Sequence, residues 1–239
     1  MSHNNIVLGL DIGTTKICAV IAEYDHEQKS HEILGIGRTD SKGLKRGIVV
    51  NINETKTSIK QAISIAQAEA NITTNEACIG IAGDHIHSLD HDAIVEIEHK
   101  DKIGLVIGEE DIENVLEKTK KFNLPPEREI IHTIPKNFIV DKENSCTNPL
   151  GMSGSTLSVS AHIIHALKNN VKNLKNCVNS TALNVSQVVL EPLASAEAVL
   201  SQEQKDLGVV LIDIGGGTSD IIIYQEGTLI FSGIIGYGG

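Results

Sequence analysis

The chain has 239 residues, 41% hydrophobic and 21% charged, so it can bury a substantial core and is not a disordered tail. Its 31 acidic against 20 basic residues give a net charge of −11, which argues against a nucleic-acid-binding protein. A local phosphate site built from backbone amides needs no positive charge and stays open.

Cys18, Cys78, Cys146 and Cys177 form no C-x-x-C pair and read as reduced cytosolic thiols. No apolar run reaches the ~18 residues of a bilayer span, and no secretory signal is present, so a soluble cytoplasmic chain is expected. Residues 6–10 and 17–22 are apolar runs joined by Asp11-Ile-Gly-Thr-Thr-Lys16, the pattern of a hairpin. A third strand, 32–38, follows a polar turn at 25–30. The period then changes: Ile59, Ala62, Ile63, Ala66 and Ala70 share one helical face in 53–70, with Asn53 as N-cap. Strand character returns at 78–82, so residues 1–83 read βββαβ.

From 84 to about 158, charge, histidine and most of the prolines accumulate, and this stretch reads as an inserted subdomain. Strands are expected at 93–97, 104–107 and 137–140. A helix at 109–121 has an acidic first turn and a lysine-bearing last turn, matching the helix dipole, and Pro125-Pro126 stops it. An alternating run at 156–165 leads back out. Leu167, Val171, Leu174 and Val178 then trace a helical stripe, 188–190 is a strand, and Pro192 opens a short helix to 200. After a polar link at 201–206, strands at 208–212, 221–224 and 228–235 repeat the opening meander. Lacking helices of its own, that second meander leaves a sheet face bare, as expected for a piece of a longer two-lobed protein.

The repeat carries the chemistry. Leu10-Asp-Ile-Gly-Thr-Thr15 and Ile212-Asp-Ile-Gly-Gly-Gly-Thr218 both run from an apolar strand through D-I-G into small or hydroxyl residues and a second strand. A carboxylate at the strand end can hold magnesium through water, and glycine lets the backbone approach a ligand. The amides and Thr hydroxyls that follow can donate to phosphate oxygens. One such turn is an ordinary hairpin; two that face each other can grip a polyphosphate from both sides. No G-x-x-x-x-G-K-[ST] loop is present, and Gly35-Ile-Gly37 lacks the third glycine of a dinucleotide fingerprint. His85, His87 and His91 lack acidic or Cys partners at ligand spacing and are not expected to hold a metal. His132, His162 and His165 read as ordinary strand residues.

The two turns resemble the first and second phosphate loops of the actin-like ATPase superfamily. Gly43-Leu-Lys-Arg-Gly-Ile-Val-Val50, Ile81-Ala-Gly-Asp-His85, Ile134-Pro-Lys-Asn-Phe-Ile-Val-Asp141, Asn148-Pro-Leu-Gly-Met-Ser-Gly154 and the stretch 207–220 are similar to sequences of its FtsA cell-division family. That likeness runs from Ile6 to Gly239. It implies an α/β, actin-like (ribonuclease H-like) ATPase fold with a mixed sheet, an inserted α+β subdomain and the start of a second lobe. Domain IA would comprise 1–83 and 164–206, domain IC 84–163, and 207–239 would open domain IIA.

The resemblance also implies ATP and magnesium as cofactors. Asp11, Gly13, Thr14, Thr15 and Lys16 would form the first phosphate loop, and Asp213, Gly215, Gly216, Gly217 and Thr218 the second. Asp213 and Asp11 would face the metal, and Glu191, in Leu190-Glu-Pro-Leu-Ala-Ser195, would order its water shell. The residue types equally allow Glu191 to cap the helix that follows, and Lys16 to be a solvent-exposed strand residue. Hydrolysis is expected to be slow at most, with no separate catalytic residue. Implied partners are the FtsZ ring, later division proteins through 84–163, and further copies in filaments, at the cytoplasmic face of the inner membrane at the septum. FtsZ and membrane contacts are expected to run through a region and a C-terminal helix outside these residues. Alternatives within the superfamily are an FtsA-like pilus-assembly ATPase and a sugar or acyl kinase; for a kinase no catalytic Asp is evident.

Overall fold

A computed structural model describes residues 5–25, 27, 30–97 and 105–239. The first meander comprises β1 (Asn5–Ile12), β2 (Lys16–Asp25) and β3 (Ser30–Asp40), each antiparallel to the next. The turn at 25–30 falls partly outside the described residues. A small ladder, β4 (Leu44–Lys45) and β5 (Ile48–Val49), leads into α1 (Ile52–Ala70). The cap of α1 is Asn51 rather than Asn53. Asn51 is the residue still extended (φ −142°), and its side-chain oxygen accepts from the amides of Asn53 at 3.1 Å and Glu54 at 3.3 Å, whereas Asn53 already lies within the first turn. After β6 (Glu76–Ile81) the chain enters the insertion.

The insertion holds β7 (His87–Glu96), α2 (Glu109–Thr119), β8 (Arg128–Val140), β9 (Asn144–Cys146) and β10 (Thr156–Leu167), with strand order β7-β10-β8-β9. The strand expected at 104–107 does not form over 105–107, where Val106 makes only an isolated bridge to Ser153; residue 104 lies outside the described residues. β8 tolerates Pro135 because the register slips there: Asn137 faces Ser160 and Pro135 faces Ala161, leaving Lys136 as the bulged residue. Ile107, Val115, Phe138, Leu157 and Val159 form this sheet's own core.

The chain continues through α3 (Lys168–Asn179), β11 (Asn184–Leu190), α4 (Glu191–Val199) and α5 (Gln202–Leu207) into a second meander, β12 (Val209–Ile214), β13 (Ser219–Gln225) and β14 (Thr228–Ile235). The segment 201–206, read as a polar link, mostly folds as α5. Ser201 and Gln204 form a reciprocal capping box, which pays the first-turn amides locally and needs no apolar stripe.

The main sheet has the order β11-β6-β1-β2-β3: the β1–β2–β3 meander is antiparallel, while β6 runs parallel to β1 and β11 parallel to β6. Alternate residues Leu8, Leu10, Ile12, Ile17, Ala19 and Ile21 point inward and are buried against Ile59, Ala62, Ile63 and Ala66 of α1. Gly35 and Gly37, suspected of nucleotide chemistry by motif and rejected, have a packing role. A Cβ on Gly37 would be driven into the Ala62 carbonyl and lie 2.7 Å from the Ala66 nitrogen, so glycine lets α1 rest directly on β3. In the second meander Val210, Ile212 and Ile214 remain exposed by 55%, 56% and 68%, the bare sheet face that the strand pattern implied. Among the described residues no helix is long and apolar enough to cross a membrane.

Candidate functional site

The two D-I-G turns are built alike. Ile12 faces Ile17 across the first and Ile214 faces Ser219 across the second, so each turn spans four residues. The Gly13 amide donates to the Lys16 carbonyl at 3.1 Å, and the Gly215 amide donates to the Thr218 carbonyl at 2.9 Å. The two meanders bring these turns face to face. A Cβ on Gly217 would sit 2.6 Å from Thr14 Oγ1, and one on Gly216 would sit 2.9 Å from Thr15 Oγ1, so the approach is close enough to demand glycine. Thr14 is anchored from behind, its hydroxyl accepting from the Gly47 amide at 3.2 Å.

Both turns line one cavity of about 620 Å³ between the lobes. Every residue expected in the site borders it: Asp11, Gly13, Thr14, Thr15 and Lys16 on one wall, Asp213, Gly215, Gly216, Gly217 and Thr218 on the other, with Glu191 between. Lys16 is solvent-exposed at the head of β2 and borders the cavity. Glu191 does not cap α4: the cap position is Leu190, and no side-chain capping bond forms. The Glu191 side chain lies instead over Gly80, whose missing Cβ leaves it room; a Cβ there would be 2.8 Å from Glu191 Cγ.

The electrostatics are those of a site short of positive charge. Burial, then Asp11, Asp220 and Asp213, push the Glu191 carboxyl up to about 8, with Lys16 opposing. Burial and Asp213 push Asp220 up to about 7. Burial also raises Asp11, against the pull of Lys16 and reinforced by Asp213. Four carboxyls thus line one cavity with, among the described residues, Lys16 as the cation that opposes their shifts, and Asp220 Oδ1 is buried without a hydrogen-bond partner. All four side chains offer oxygen, the ligand type magnesium takes; among the described residues no three His, Cys, Asp or Glu side chains are placed to hold a metal directly, so the fit is to a cation bound largely through water.

Two site residues escaped sequence reasoning. Asp220 pairs directly with Asp213 across β12 and β13, the position that Cys18 holds opposite Asp11 in the first hairpin. The signal was available, since strand register follows once the turn length is fixed. Ser195 donates to Asp213 Oδ2 at 2.9 Å and lies four residues after Glu191, one helical turn along the same face of α4. A larger depression of about 760 Å³, bordered by Arg38, Asp40, Asn53 and Glu54, has no comparable convergence of buried charge.

A mixed five-stranded sheet, a second three-stranded meander, and two facing D-I-G turns that line the cleft between them define an actin-like ATPase fold. Among solved structures the chain superposes on the PilM-PilN type IV pilus biogenesis complex with a TM-score of 0.66 at 15% identity, covering 98% of this chain and 62% of that one. The ethanolamine utilization protein EutJ from Carboxydothermus hydrogenoformans gives a TM-score of 0.52 at 14% identity, covering 98% and 53%. At that identity both speak to the fold alone. The family described as "SHS2 domain inserted in FTSA" matches residues 83–165. The cell division protein FtsA of Pseudomonas aeruginosa is 39% identical over 239 residues, all of this chain and 56% of the relative. Those of Bacillus subtilis and Escherichia coli are 35% and 30% identical, again over this whole chain and 53% and 55% of theirs. The chain belongs to the FtsA family and spans about half the length of the curated relatives it matches.

Proposed function

We propose that this chain carries the phosphate- and metal-binding part of an ATP site, used by an actin-like division protein to switch between assembly states at the septum. The observation that carries the reading is the apposition of two Asp-led glycine turns across one cavity, with four carboxyls gathered behind them.

Each residue has a role that its position supports. The backbone amides of 13–15 and 215–218 would take the phosphate oxygens, with the Thr14, Thr15 and Thr218 hydroxyls beside them and Lys16 at the rim. Asp213, held in orientation by Ser195, and Asp11 would hold magnesium; Glu191 and Asp220 would accept hydrogen bonds from its waters and so order them. Bound magnesium supplies charge neutralisation for the phosphates and for the carboxyl cluster together. In this reading ATP serves as a switch of assembly state rather than as a rapidly turned-over substrate.

In this reading residues 1–83 and 164–206 form domain IA, 84–163 domain IC, and 207–239 open domain IIA. Domain IC meets other division proteins and neighbouring copies, while links to FtsZ and to the cytoplasmic membrane belong to parts of the family's longer chains. The 30–39% identity to FtsA proteins favours this over a pilus-assembly or kinase role. The test is calorimetric titration of the intact protein with ATP, with and without magnesium. Asp213→Ala is expected to abolish the magnesium-dependent gain in affinity; an unchanged gain would refute the site.

A further inference from the structure

The inserted sheet and the second meander meet through polar contacts that the nucleotide site does not use. His162 on β10 is 4% exposed and holds Asp90 of β7 through Nδ1 at 2.8 Å and Ser232 of β14 through Nε2 at 2.9 Å. Ser88 Oγ donates to the Ser232 carbonyl at 2.9 Å. Lys136, the bulged residue of β8, pairs with Asp90 at 2.6 Å and donates to the Ile230 carbonyl at 3.0 Å. Three strands of the insertion therefore clasp one strand of the second meander.

Ser232–His162–Asp90 has the connectivity of a hydrolase triad, and the surroundings argue against that use. A general base must take up a proton, yet burial and Lys136 hold the His162 ring below its usual range, opposed only by Asp90. Ser232 is 6% exposed, and its hydroxyl is engaged by His162 Nε2. With Asp90 ionised, Nδ1–H donates to it and Nε2 accepts from the Ser232 hydroxyl, which leaves the network satisfied with His162 neutral.

The far end of β14 reaches the phosphate-facing turn. Ile234 pairs with Asp220 and Ile235 with Ser219. Just beyond the strand, the Tyr237 carbonyl accepts from Ser219 Oγ at 2.8 Å, and the Gly239 amide donates to the Gly215 carbonyl at 3.0 Å. Arg46, from the loop that holds Thr14, lies over the Tyr237 ring at 5.4 Å. One strand thus touches the inserted sheet at Ile230 and Ser232 and the second phosphate turn at 234–239.

We propose that β14 is a strut coupling the second phosphate turn to the inserted subdomain, gripped at one end by His162, Ser88 and Lys136. The strut turns any change at residues 215–219 into a change in how the insertion sits on the second lobe, and the reverse. It concerns the same cleft as the ATP reading but does not need a nucleotide to operate.

The test is hydrogen–deuterium exchange of the intact, nucleotide-free protein. In a Ser232→Ala, Lys136→Met double variant, peptides covering 212–220 are expected to exchange about tenfold faster, along with those covering 87–96 and 156–165, while α1 stays unchanged. Ser88→Ala removes one bond and no charge, keeps the test available if the double variant does not fold, and is expected to give about a threefold increase at 212–220. Lys136→Arg is expected to keep most of the protection. Acceleration confined to β14 and the inserted sheet, with 212–220 at the wild-type rate, would overturn the proposal. Because no nucleotide is present, that result would leave the ATP reading standing, and a failure to bind ATP would leave the strut standing.

Discussion

Replacing Gly216 by alanine places a methyl group inside the van der Waals surface of Thr15 Cγ2 and 2.9 Å from Thr15 Oγ1. Ordinary carbon contacts lie at about 3.5–4.0 Å, so the two turns must part or the Thr15 side chain must leave its rotamer. Overpacking of this kind costs about 1–3 kcal/mol. If the turns close on phosphate, that cost falls on the bound state, and ATP affinity drops between about fivefold and 150-fold. Truncating Thr15 to alanine removes both offending atoms and leaves only its Cβ, 3.1 Å from the new methyl, a shortage of a few tenths of an ångström. Thr15→Ala alone loses a hydroxyl donor. Adding Gly216→Ala to it is then expected to cost little more, giving a coupling energy of about 1–2 kcal/mol in a double-mutant cycle read by calorimetric ATP titration. Strictly additive losses would mean that residues 15 and 216 do not face each other in the bound protein, and the facing-turn argument would fail.

Other perturbations test separate parts of the structure. His85 is buried with neither ring nitrogen bonded, and burial brings its pKa from 6.5 down to about 4, with Arg128 and His87 helping and Asp84 opposing. The folded state binds fewer protons, so stability is fully present above pH 6.5 and falls by up to about 3 kcal/mol as pH drops toward 4. Chemical denaturation at pH 7 and 5 should show a smaller loss for His85→Leu than for the wild type; equal losses would contradict the assignment. Glu191 behaves oppositely: with its pKa raised to about 8, stability is lost as pH rises from about 4.5 through 8. Glu191→Gln is therefore expected to raise the melting temperature of the metal-free protein at pH 8 but not at pH 4.5, and a gain equal at both would contradict the buried-charge account. Gly37→Ala should destabilise the protein by at least about 2 kcal/mol in denaturant melts by lifting α1 from β3; an unaffected midpoint would contradict the packing role.

The parts of this molecule governed by short-range rules could be read from the residues in order. The D-I-G hairpins, the α1 stripe from Ile59 to Ala70 and the acidic start of α2 are set by side-chain period, turn chemistry and the helix dipole, all local. Elsewhere the local signal is ambiguous. Asn51 and Asn53 are equally good caps by type, and only the backbone angle separates them. The 201–206 segment is polar enough to pass for a linker, although Ser201 and Gln204 are spaced as a capping box. Site residues fixed by distant partners were harder. Asp220 joins the cluster through strand register and Ser195 through the turn of α4, and neither stands in the motif that drew attention to the cleft. His162 looked like an ordinary strand residue because its partners, Asp90 and Ser232, lie some 70 residues away on either side, brought together by pairing that no window of sequence contains.

The central claim is that both turns hold one triphosphate, and a crystal structure of the intact protein with magnesium and a non-hydrolysable ATP analogue tests it most directly. The phosphates are predicted to lie between the backbone of 13–15 and that of 215–218, with the cation beside Asp213 and Asp11. Phosphates bound elsewhere, or bound by one turn with the carboxylates of the other facing away, would contradict it.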